Sequence, residues 1–138
     1  MKKKILIIGF GTIGRVHFKI INILLQNSKI KILKKIGDKL KNNYYTKYYI
    51  HSNKIEEFKP DLAIIANPSS KHLKYAIKMA KLDCDLFIEK PISNNLNLTK
   101  QFLQIIKKKK LIVTIGYNLR YLESLRIFKK KIHSNILG

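Results

Sequence analysis

The chain has 138 residues, with 29 Lys and Arg against 8 Asp and Glu, which gives a formal net charge of +21 at pH 7. This length suits one domain with a substantial buried core, and no apolar run reaches the roughly 18 residues that a membrane span requires. The single cysteine excludes an internal disulfide and argues against a cysteine-based metal cluster, so we predict no metal site.

The positive charge is carried almost entirely by lysine, since only Arg15, Arg120 and Arg126 are arginines. Together with abundant Ile and Asn, this is the composition that an AT-rich coding sequence produces. A specific nucleic-acid reader more often uses arginine forks or aromatic platforms. Specific nucleic-acid binding therefore ranks last among the alternatives, although the charge will attract polyanions at low salt.

The N-terminus imitates a secretory signal, because lysines precede the short apolar run at residues 5–8. Glycines interrupt that run too early, and no small-residue cleavage site follows. We therefore expect a cytoplasmic protein with no membrane partner.

A glycine-rich turn follows the first predicted strand. The run at residues 5–8 is typical of a buried parallel strand, and Gly9, Gly11 and Gly14 follow at the spacing G-x-G-x-x-G before a helical pattern begins. In this context Gly9 permits a tight turn, Gly11 lets a pyrophosphate approach the backbone, and Gly14 lets the helix pack on the strand. The free amides of the first helical turn would face the anion. The pattern predicts dinucleotide binding; a purely structural glycine turn is the alternative.

The first helix shows an apolar face made of Val16, Ile20, Ile23 and Leu24, and it is predicted to end at residues 27–28. A second strand is predicted at residues 30–36.

Asp38 follows that strand, 24 residues after Gly14. A carboxylate at this position can bind the ribose hydroxyls of NAD, and it can equally be a turn residue beside Gly37. The two roles can coexist. Because Lys39 and Lys41 follow, the sequence does not choose between NAD and NADP.

Tyrosines are concentrated in residues 39–53, with a short third strand predicted at 48–50. Such an aromatic stripe can stack on bases, but we expect the tyrosines of a short edge strand to pack against a helix. A short helix at 53–58 is predicted to stop before Pro60.

Three further strands are predicted at residues 61–67, 86–88 and 111–115. After the fourth strand, Ser69 or Ser70 can cap a helix whose inward residues are Leu73, Ala76, Ile77 and Ala80.

The last two helices are predicted from their ends. Asn94 or Asn95 can cap the helix that runs to the lysine tract at 107–110, where positive charge favours a helix C-terminus. A final helix covers about residues 120–132.

Strands and helices alternate along the chain, which predicts an α/β protein with a doubly wound parallel sheet, an NAD(P)-binding Rossmann fold of strand order 3-2-1-4-5-6. Ligands bind beyond the carboxyl ends of such strands. The polar segments expected at that edge are residues 9–14, 38, 67–70, 89–91 and 117–118.

Four segments together resemble a known family. They are Gly9-Phe10-Gly11-Thr12-Ile13-Gly14, Ile65-Ala66-Asn67-Pro68-Ser69-Ser70-Lys71-His72, Phe87-Ile88-Glu89-Lys90-Pro91-Ile92 and Gly116-Tyr117-Asn118-Leu119-Arg120-Tyr121. Their order and intervals are similar to the N-terminal half of the Gfo/Idh/MocA family, named after glucose-fructose oxidoreductase and inositol dehydrogenase. The resemblance covers nearly the whole chain, and Glu-Lys-Pro is its most specific part.

The resemblance implies an NAD- or NADP-dependent oxidoreductase acting on a sugar- or polyol-like alcohol or ketone. It makes Lys90 the catalytic lysine, whose ammonium can donate to a carbonyl oxygen, and partial burial can lower the pKa of a lysine in such a role. An ordinary surface lysine is the alternative, and for His72 the alternative is a polar residue in the first turn of a helix. The implied cofactor-binding residues are Gly9, Phe10, Gly11, Thr12, Ile13, Gly14, Asp38, Asn67, Pro68, Ser69, His72, Glu89, Lys90, Pro91 and Asn118.

Two departures from the family accompany the resemblance. Asp83-Cys84-Asp85 stands where the family usually has a glycine turn. The family's C-terminal domain, which carries most substrate contacts, the usual catalytic histidine and the main oligomer interface, is absent from residues 1–138, which we expect to form one dinucleotide-binding domain.

Neither His51 nor His133 lies in a matching motif, so neither can replace that catalytic histidine. Two functions therefore stay open. The chain can be the dinucleotide-binding part of an oxidoreductase whose missing half a partner chain supplies, or it can be a non-catalytic dinucleotide-binding module. The sequence also leaves open whether the chain forms a homo-oligomer.

Overall fold

The computed structural model describes residues 2–33 and 44–134. Within them, six parallel strands form one sheet in the order β3-β2-β1-β4-β5-β6, which confirms the predicted Rossmann topology. The strands are β1 (Lys4–Ile8), β2 (Lys29–Leu33), β3 (Tyr49–Ile50), β4 (Leu62–Ile65), β5 (Asp85–Ile88) and β6 (Val113–Ile115). The second strand was predicted to reach residue 36; its last residues, and Asp38, lie outside the described part of the chain.

The helices are α1 (Thr12–Leu24), α2 (Ile55–Phe58), α3 (His72–Lys81), α4 (Thr99–Lys109) and α5 (Glu123–His133). Short 3-10 turns occupy Thr46–Tyr48, Ser52–Lys54, Ser69–Lys71 and Asn118–Tyr121. No helix in the described residues combines the length and the hydrophobicity that crossing a membrane would take.

The core lies on both faces of the sheet, which explains why β1 is continuously apolar. Leu6 and Ile8 face the cluster beneath α2, α3 and α4, while Ile5 and Ile7 face the cluster beneath α1. All four side chains are buried. A strand buried on both faces belongs at the centre of a parallel sheet, and the glycine turn that follows β1 is therefore held at the middle of the ligand-facing edge.

Helix α1 packs on the sheet through a different face from the apolar one read in the sequence. Gly14, Phe18 and Ile21 are its buried residues. The predicted apolar residues are between 42% and 72% exposed: Val16, Ile20, Ile23 and Leu24. Gly14 decides the outcome, because the close approach of helix and strand occurs at this glycine and residues four and seven positions later lie on the same side.

The predicted caps of α3 and α4 are also wrong. Ser69 and Ser70 form a 3-10 turn, and α3 begins after Lys71 with no side-chain cap. Helix α4 begins at Thr99 rather than after Asn95. The Asn95 side chain instead accepts a hydrogen bond from the Asn97 amide at 3.0 Å, a local turn that competes with helix formation.

Helix α3 buries the four side chains predicted to face inward, while its lysines stay exposed. The turn that follows contains Asp83 at φ 57°, a left-handed conformation that glycine adopts most easily. Asp83 therefore adopts, in the turn where the sequence departs from the family, a conformation that glycine would adopt with less strain. Lys109 anchors the Asp83 carboxylate at 2.6 Å.

The described part of the tyrosine-rich segment, residues 44–53, forms a sheet edge packed on α1. Tyr49 and Ile50 pair with β2, and the rings of Tyr45 and Tyr48 lie 5.4 and 4.9 Å from the ring of Phe18. The preferred interpretation, packing against a helix, is confirmed for these tyrosines.

Candidate functional site

The glycine turn after β1 is packed tightly at two of its three glycines. Gly9 has φ +96°, and a Cβ there would collide with the backbone of Asn67. A Cβ on Gly14 would collide with the carbonyl oxygen of Gly9. At Gly11, in contrast, no described atom beyond its immediate chain neighbours lies within 4 Å of the position that a Cβ would take. Gly9 and Gly14 are therefore required by the fold, whereas Gly11 leaves space beside the backbone for a ligand.

The first turn of α1 borders that space. Gly11 is the N-cap residue and supplies no side-chain cap, and the first turn contains no acidic residue. Thr12 and Ile13 are exposed. Because the first amides of a helix have no partner within the helix, this end presents N–H groups and the positive end of the helix dipole. Both properties suit a diphosphate.

Asn67, at the end of β4, provides a second and independent indication of a ligand. Its side-chain oxygen is buried and has no hydrogen-bond partner among the described residues. The Asn67 backbone packs directly against Gly9, so the residue that carries this oxygen adjoins the glycine turn. A buried acceptor without a donor is unfavourable, and a hydroxyl group of a bound ligand would satisfy it. The residues present therefore fit a dinucleotide.

Glu89 follows β5 at the same edge of the sheet. Its carboxylate oxygen accepts a hydrogen bond from Nε2 of His17 at 2.7 Å, and the two side chains are 14% and 16% exposed. The other carboxylate oxygen accepts a bond from the Lys90 amide at 3.3 Å. A Cβ on Gly116 would lie 3.2 Å from the carboxylate, so the end of β6 also borders it.

Lys90 is exposed, so the described residues do not bury its side chain. Its ammonium makes no hydrogen bond or ion pair there. The lysine lies two residues beyond the end of β5, which is two positions from β1 in the sheet, and the bond to Pro91 is cis.

His72, the first residue of α3, is 2% exposed. Its Nδ1 lies 2.8 Å from the carbonyl oxygen of Pro91, and its Nε2 lies 2.6 Å from the carbonyl oxygen of Asn67. The ring thus connects the loops after β4 and β5. Direct contact between His72 and a cofactor stays a prediction.

The remaining predicted residues occupy different environments. Phe10 packs edge-on against Tyr45, with ring centroids 4.9 Å apart, and the Arg15 guanidinium lies 5.8 Å from the Phe10 ring. Pro68 is exposed and Ser69 half-buried in the turn before α3. Asn118 is exposed after β6. The structure thus places all the predicted residues except Asp38 at the same edge of the sheet.

His17 is the residue that the sequence analysis missed. It lies three positions after Gly14, one helical turn along the side of α1 that packs on the sheet. A polar aromatic residue in that position is a local signal that could have identified it. Its partner Glu89 is 72 residues away in the sequence, and only the sheet topology brings the two together.

Among the described residues, no group of three or more His, Cys, Asp and Glu side chains is arranged to hold a metal ion. The candidate site therefore consists of backbone amides, an unsatisfied amide oxygen, a hydrogen-bonded carboxylate and one free ammonium.

Comparison with known proteins adds independent findings. Residues 3–117 match the Gfo/Idh/MocA family model, described as an oxidoreductase family with an NAD-binding Rossmann fold. The chain is 27% identical over 139 residues to myo-inositol 2-dehydrogenase of Thermotoga maritima, covering 96% of this chain and 41% of that protein. It is 20% identical over 146 residues to inositol 2-dehydrogenase/D-chiro-inositol 3-dehydrogenase of Lacticaseibacillus casei, covering 100% of this chain and 42% of that protein.

Solved structures share the fold. The crystal structure of scyllo-inositol dehydrogenase from Lactobacillus casei with bound NAD(H) and scyllo-inositol superposes with a TM-score of 0.80 at 22% identity, over 100% of this chain and 43% of that one. UDP-N-acetylglucosamine 3-dehydrogenase from Acidithiobacillus ferrooxidans superposes with a TM-score of 0.74 at 14% identity, over 94% of this chain and 42% of that one.

The chain therefore spans less than half the length of these relatives. The family match nevertheless covers most of its residues and includes the glycine turn and the Glu-Lys-Pro segment. The chain belongs to the Gfo/Idh/MocA family of oxidoreductases with an NAD-binding Rossmann fold.

Proposed function

We propose that this chain is the dinucleotide-binding part of an NAD- or NADP-dependent oxidoreductase that transfers hydride to or from a sugar- or polyol-like alcohol or ketone. The observation that carries the proposal is the buried, partnerless oxygen of Asn67 beside the glycine turn, where Gly11 leaves open space. Relatives named as inositol dehydrogenases support the substrate class.

The binding residues act through their local geometry. The α1 amides at Thr12, Ile13 and Gly14 donate to the diphosphate, and Gly11 lets it come close. The Asn67 oxygen accepts a ribose hydroxyl, which removes the cost of its unsatisfied burial. Asp38, which lies outside the described residues, is proposed to accept from the ribose hydroxyls of the adenosine half.

Lys90 is proposed to carry the proton. The bound nicotinamide supplies the hydride acceptor or donor. When an alcohol is oxidised, the carbon loses hydride and the hydroxyl proton passes to neutral Lys90 Nζ; in the reverse direction the Lys90 ammonium returns the proton to the carbonyl oxygen. The position of the lysine supports this role, because Lys90 directly follows Glu89 beyond the end of β5, at the ligand-facing edge of the sheet.

The contrast between two glycines tests the binding proposal. Gly11→Ala adds a methyl group to open space, so we expect unchanged thermal stability and NADH affinity weaker by about tenfold, since the methyl displaces the diphosphate from the amides. Gly14→Ala serves as the opposite case, because its methyl meets the Gly9 carbonyl and should unfold or destabilise the chain.

The measurement is fluorescence titration of NADH and NADPH in parallel, together with thermal melting. Wild-type protein that binds neither dinucleotide at millimolar concentration would contradict the proposal. If double-stranded DNA binds at physiological salt instead, the nucleic-acid alternative gains support.

Binding without turnover is the second candidate function. The observation that favours it is the free ammonium of Lys90, which no described residue orients. A reading frame immediately downstream that encodes the remainder of the relatives' length would favour the oxidoreductase. Combined with that product, Lys90→Ala should abolish turnover and leave NADH affinity nearly intact, while exposed Lys74→Ala should change neither. Unchanged turnover in Lys90→Ala would remove its proposed role.

A further inference from the structure

Two histidines contact the segment Glu89–Pro91 through their ring nitrogens, from opposite faces of the sheet. On one face, His17 of α1 reaches the Glu89 carboxylate at 2.7 Å. On the other face, His72 of α3 lies 2.8 Å from the Pro91 carbonyl oxygen. Lys90 lies between Glu89 and Pro91, the two residues that the histidines contact, and its own side chain is exposed.

The His17–Glu89 pair is tightly enclosed. The His17 ring packs edge-on against the Phe87 ring at 5.1 Å, and Gly116 borders the carboxylate from the neighbouring strand. The Glu89 amide donates to the Ile65 carbonyl at 2.9 Å, so the backbone is fixed as well as the side chain. These contacts give the carboxylate one orientation.

The pair is poorly explained by stability alone. Two largely buried polar groups give little net stability compared with apolar residues of similar size, because both must lose water. The pair also lies at the ligand-facing edge, where the partnerless Asn67 oxygen lies in the neighbouring loop. His72 connects the same two loops through its second nitrogen, 2.6 Å from the Asn67 carbonyl.

We propose that His17 and His72 are positioning residues, which hold Glu89, Lys90 and Pro91 against the nicotinamide half of a bound dinucleotide. His17 acts by orienting the Glu89 carboxylate, and His72 acts by joining the loops after β4 and β5. This inference rests on the proposed function, since it requires a dinucleotide bound along α1.

The inference predicts a selective effect on binding. The α1 amides serve the diphosphate, which NADH and ADP-ribose share, whereas only NADH has the nicotinamide. Loss of the His17 hydrogen bond should therefore weaken the binding of NADH and leave the affinity for ADP-ribose nearly unchanged. A merely structural role would weaken both ligands equally.

The experiment measures NADH and ADP-ribose affinities by calorimetric titration of the full chain. We expect His17→Ala to weaken NADH by about tenfold, the usual effect of losing a hydrogen bond to a charged group, and to change ADP-ribose affinity less than about twofold. His17→Gln should recover most of the NADH affinity, because its amide nitrogen can take the place of Nε2. His133→Ala, on exposed α5, is the matched control and should change neither affinity.

Glu89→Gln keeps the experiment decisive if His17→Ala does not fold, and it should show the same selective loss. When both single variants fold, the double variant should lose no more NADH affinity than either alone. Equal loss of both ligands, or no loss, would overturn the positioning role while leaving the proposed function intact. Wild-type protein that binds neither ligand would overturn the proposed function and this inference with it.

Discussion

Helices α3 and α5 are comparably amphipathic, yet only α3 is buried. Six of the ten residues of α3 are buried, whereas α5 has no buried residue. Leu125, Phe128 and Ile132 share one face of α5 and are 43–53% exposed. Helix α3 follows β4 in the interior of the sheet and packs on β4 and β5, but α5 follows the edge strand β6. An amphipathic pattern thus identifies the face that can be buried, and the position in the sheet decides whether anything covers it.

The largest expected difference between the two regions concerns thiol reactivity. Burial in the turn after α3 raises the pKa of the Cys84 thiol to about 12, and the charges of Asp85 and Asp61 add to the effect. Since the thiolate is the reactive form, native Cys84 should react with a thiol reagent at pH 8 about a thousandfold more slowly than an exposed cysteine.

The comparison cysteine is Ser124→Cys on α5, made in a Cys84→Ala background. Stopped-flow or absorbance kinetics give both rates, and the two chains should react alike in denaturant. Similar rates in the native state would show that the turn after α3 opens readily.

A matched pair of leucine truncations sharpens the comparison of packing. Leu73 of α3 is 3% exposed and Leu125 of α5 is 43% exposed. Leu73→Ala should lower the free energy of unfolding by about 3 kcal/mol, because it leaves a cavity in the core, and Leu125→Ala should change it by less than about 0.5 kcal/mol. Urea denaturation measures both values. A comparable loss in Leu125→Ala would mean that α5 is packed in solution.

A pair of histidine truncations should give a smaller difference. His72→Ala removes the buried ring between the carbonyl oxygens of Asn67 and Pro91 and should cost about 2 kcal/mol of unfolding free energy, since the ring N–H no longer donates to a carbonyl oxygen and its packing is lost. His133→Ala on α5 should be neutral in the same urea titration. If His72→Ala leaves the free energy of unfolding unchanged, water replaces the ring at both carbonyl oxygens.

Ion pairs should give the smallest difference. Lys109 joins the Asp83 turn at 2.6 Å, and Arg126 contacts Glu123 within α5 at 3.3 Å. We expect Asp83→Asn to cost up to about 1 kcal/mol and Glu123→Gln less than about 0.5 kcal/mol, because exposed pairs contribute little. Thermal melting in low and high salt checks this order, and a larger loss in Glu123→Gln would reverse it.

The sequence predicted the sheet well because each strand is a local apolar run and parallel connections follow a single handedness. It failed at the packing face of α1, where two apolar stripes compete. Phe18 and Ile21 follow Gly14 on the side that approaches β1, and that contact is tertiary. The predicted cap of α4 failed for a different reason, which is local, since the Asn95 side chain accepts from the Asn97 amide in a turn before the helix.

The features of the candidate site also fall into two groups, those that a local sequence motif predicts and those that depend on tertiary contacts. The glycine turn and the Glu89–Pro91 segment are contiguous motifs and could be recognised in the sequence. The bond between His17 and Glu89, the buried Asn67 oxygen and the exposure of Lys90 depend on how distant strands meet, so periodicity does not reveal them. Asp38 stays a prediction.

The bridging ring of His72 has a consequence for motion at the ligand-facing edge. Its nitrogens reach the loops after both β4 and β5, whose amides at Ala66 and Glu89 bond to the Ile8 and Ile65 carbonyls at 2.8 and 2.9 Å. Opening either loop must detach the shared imidazole. The Ala66 and Glu89 amides should therefore exchange deuterium as one cooperative unit, with common protection that His72→Ala would separate.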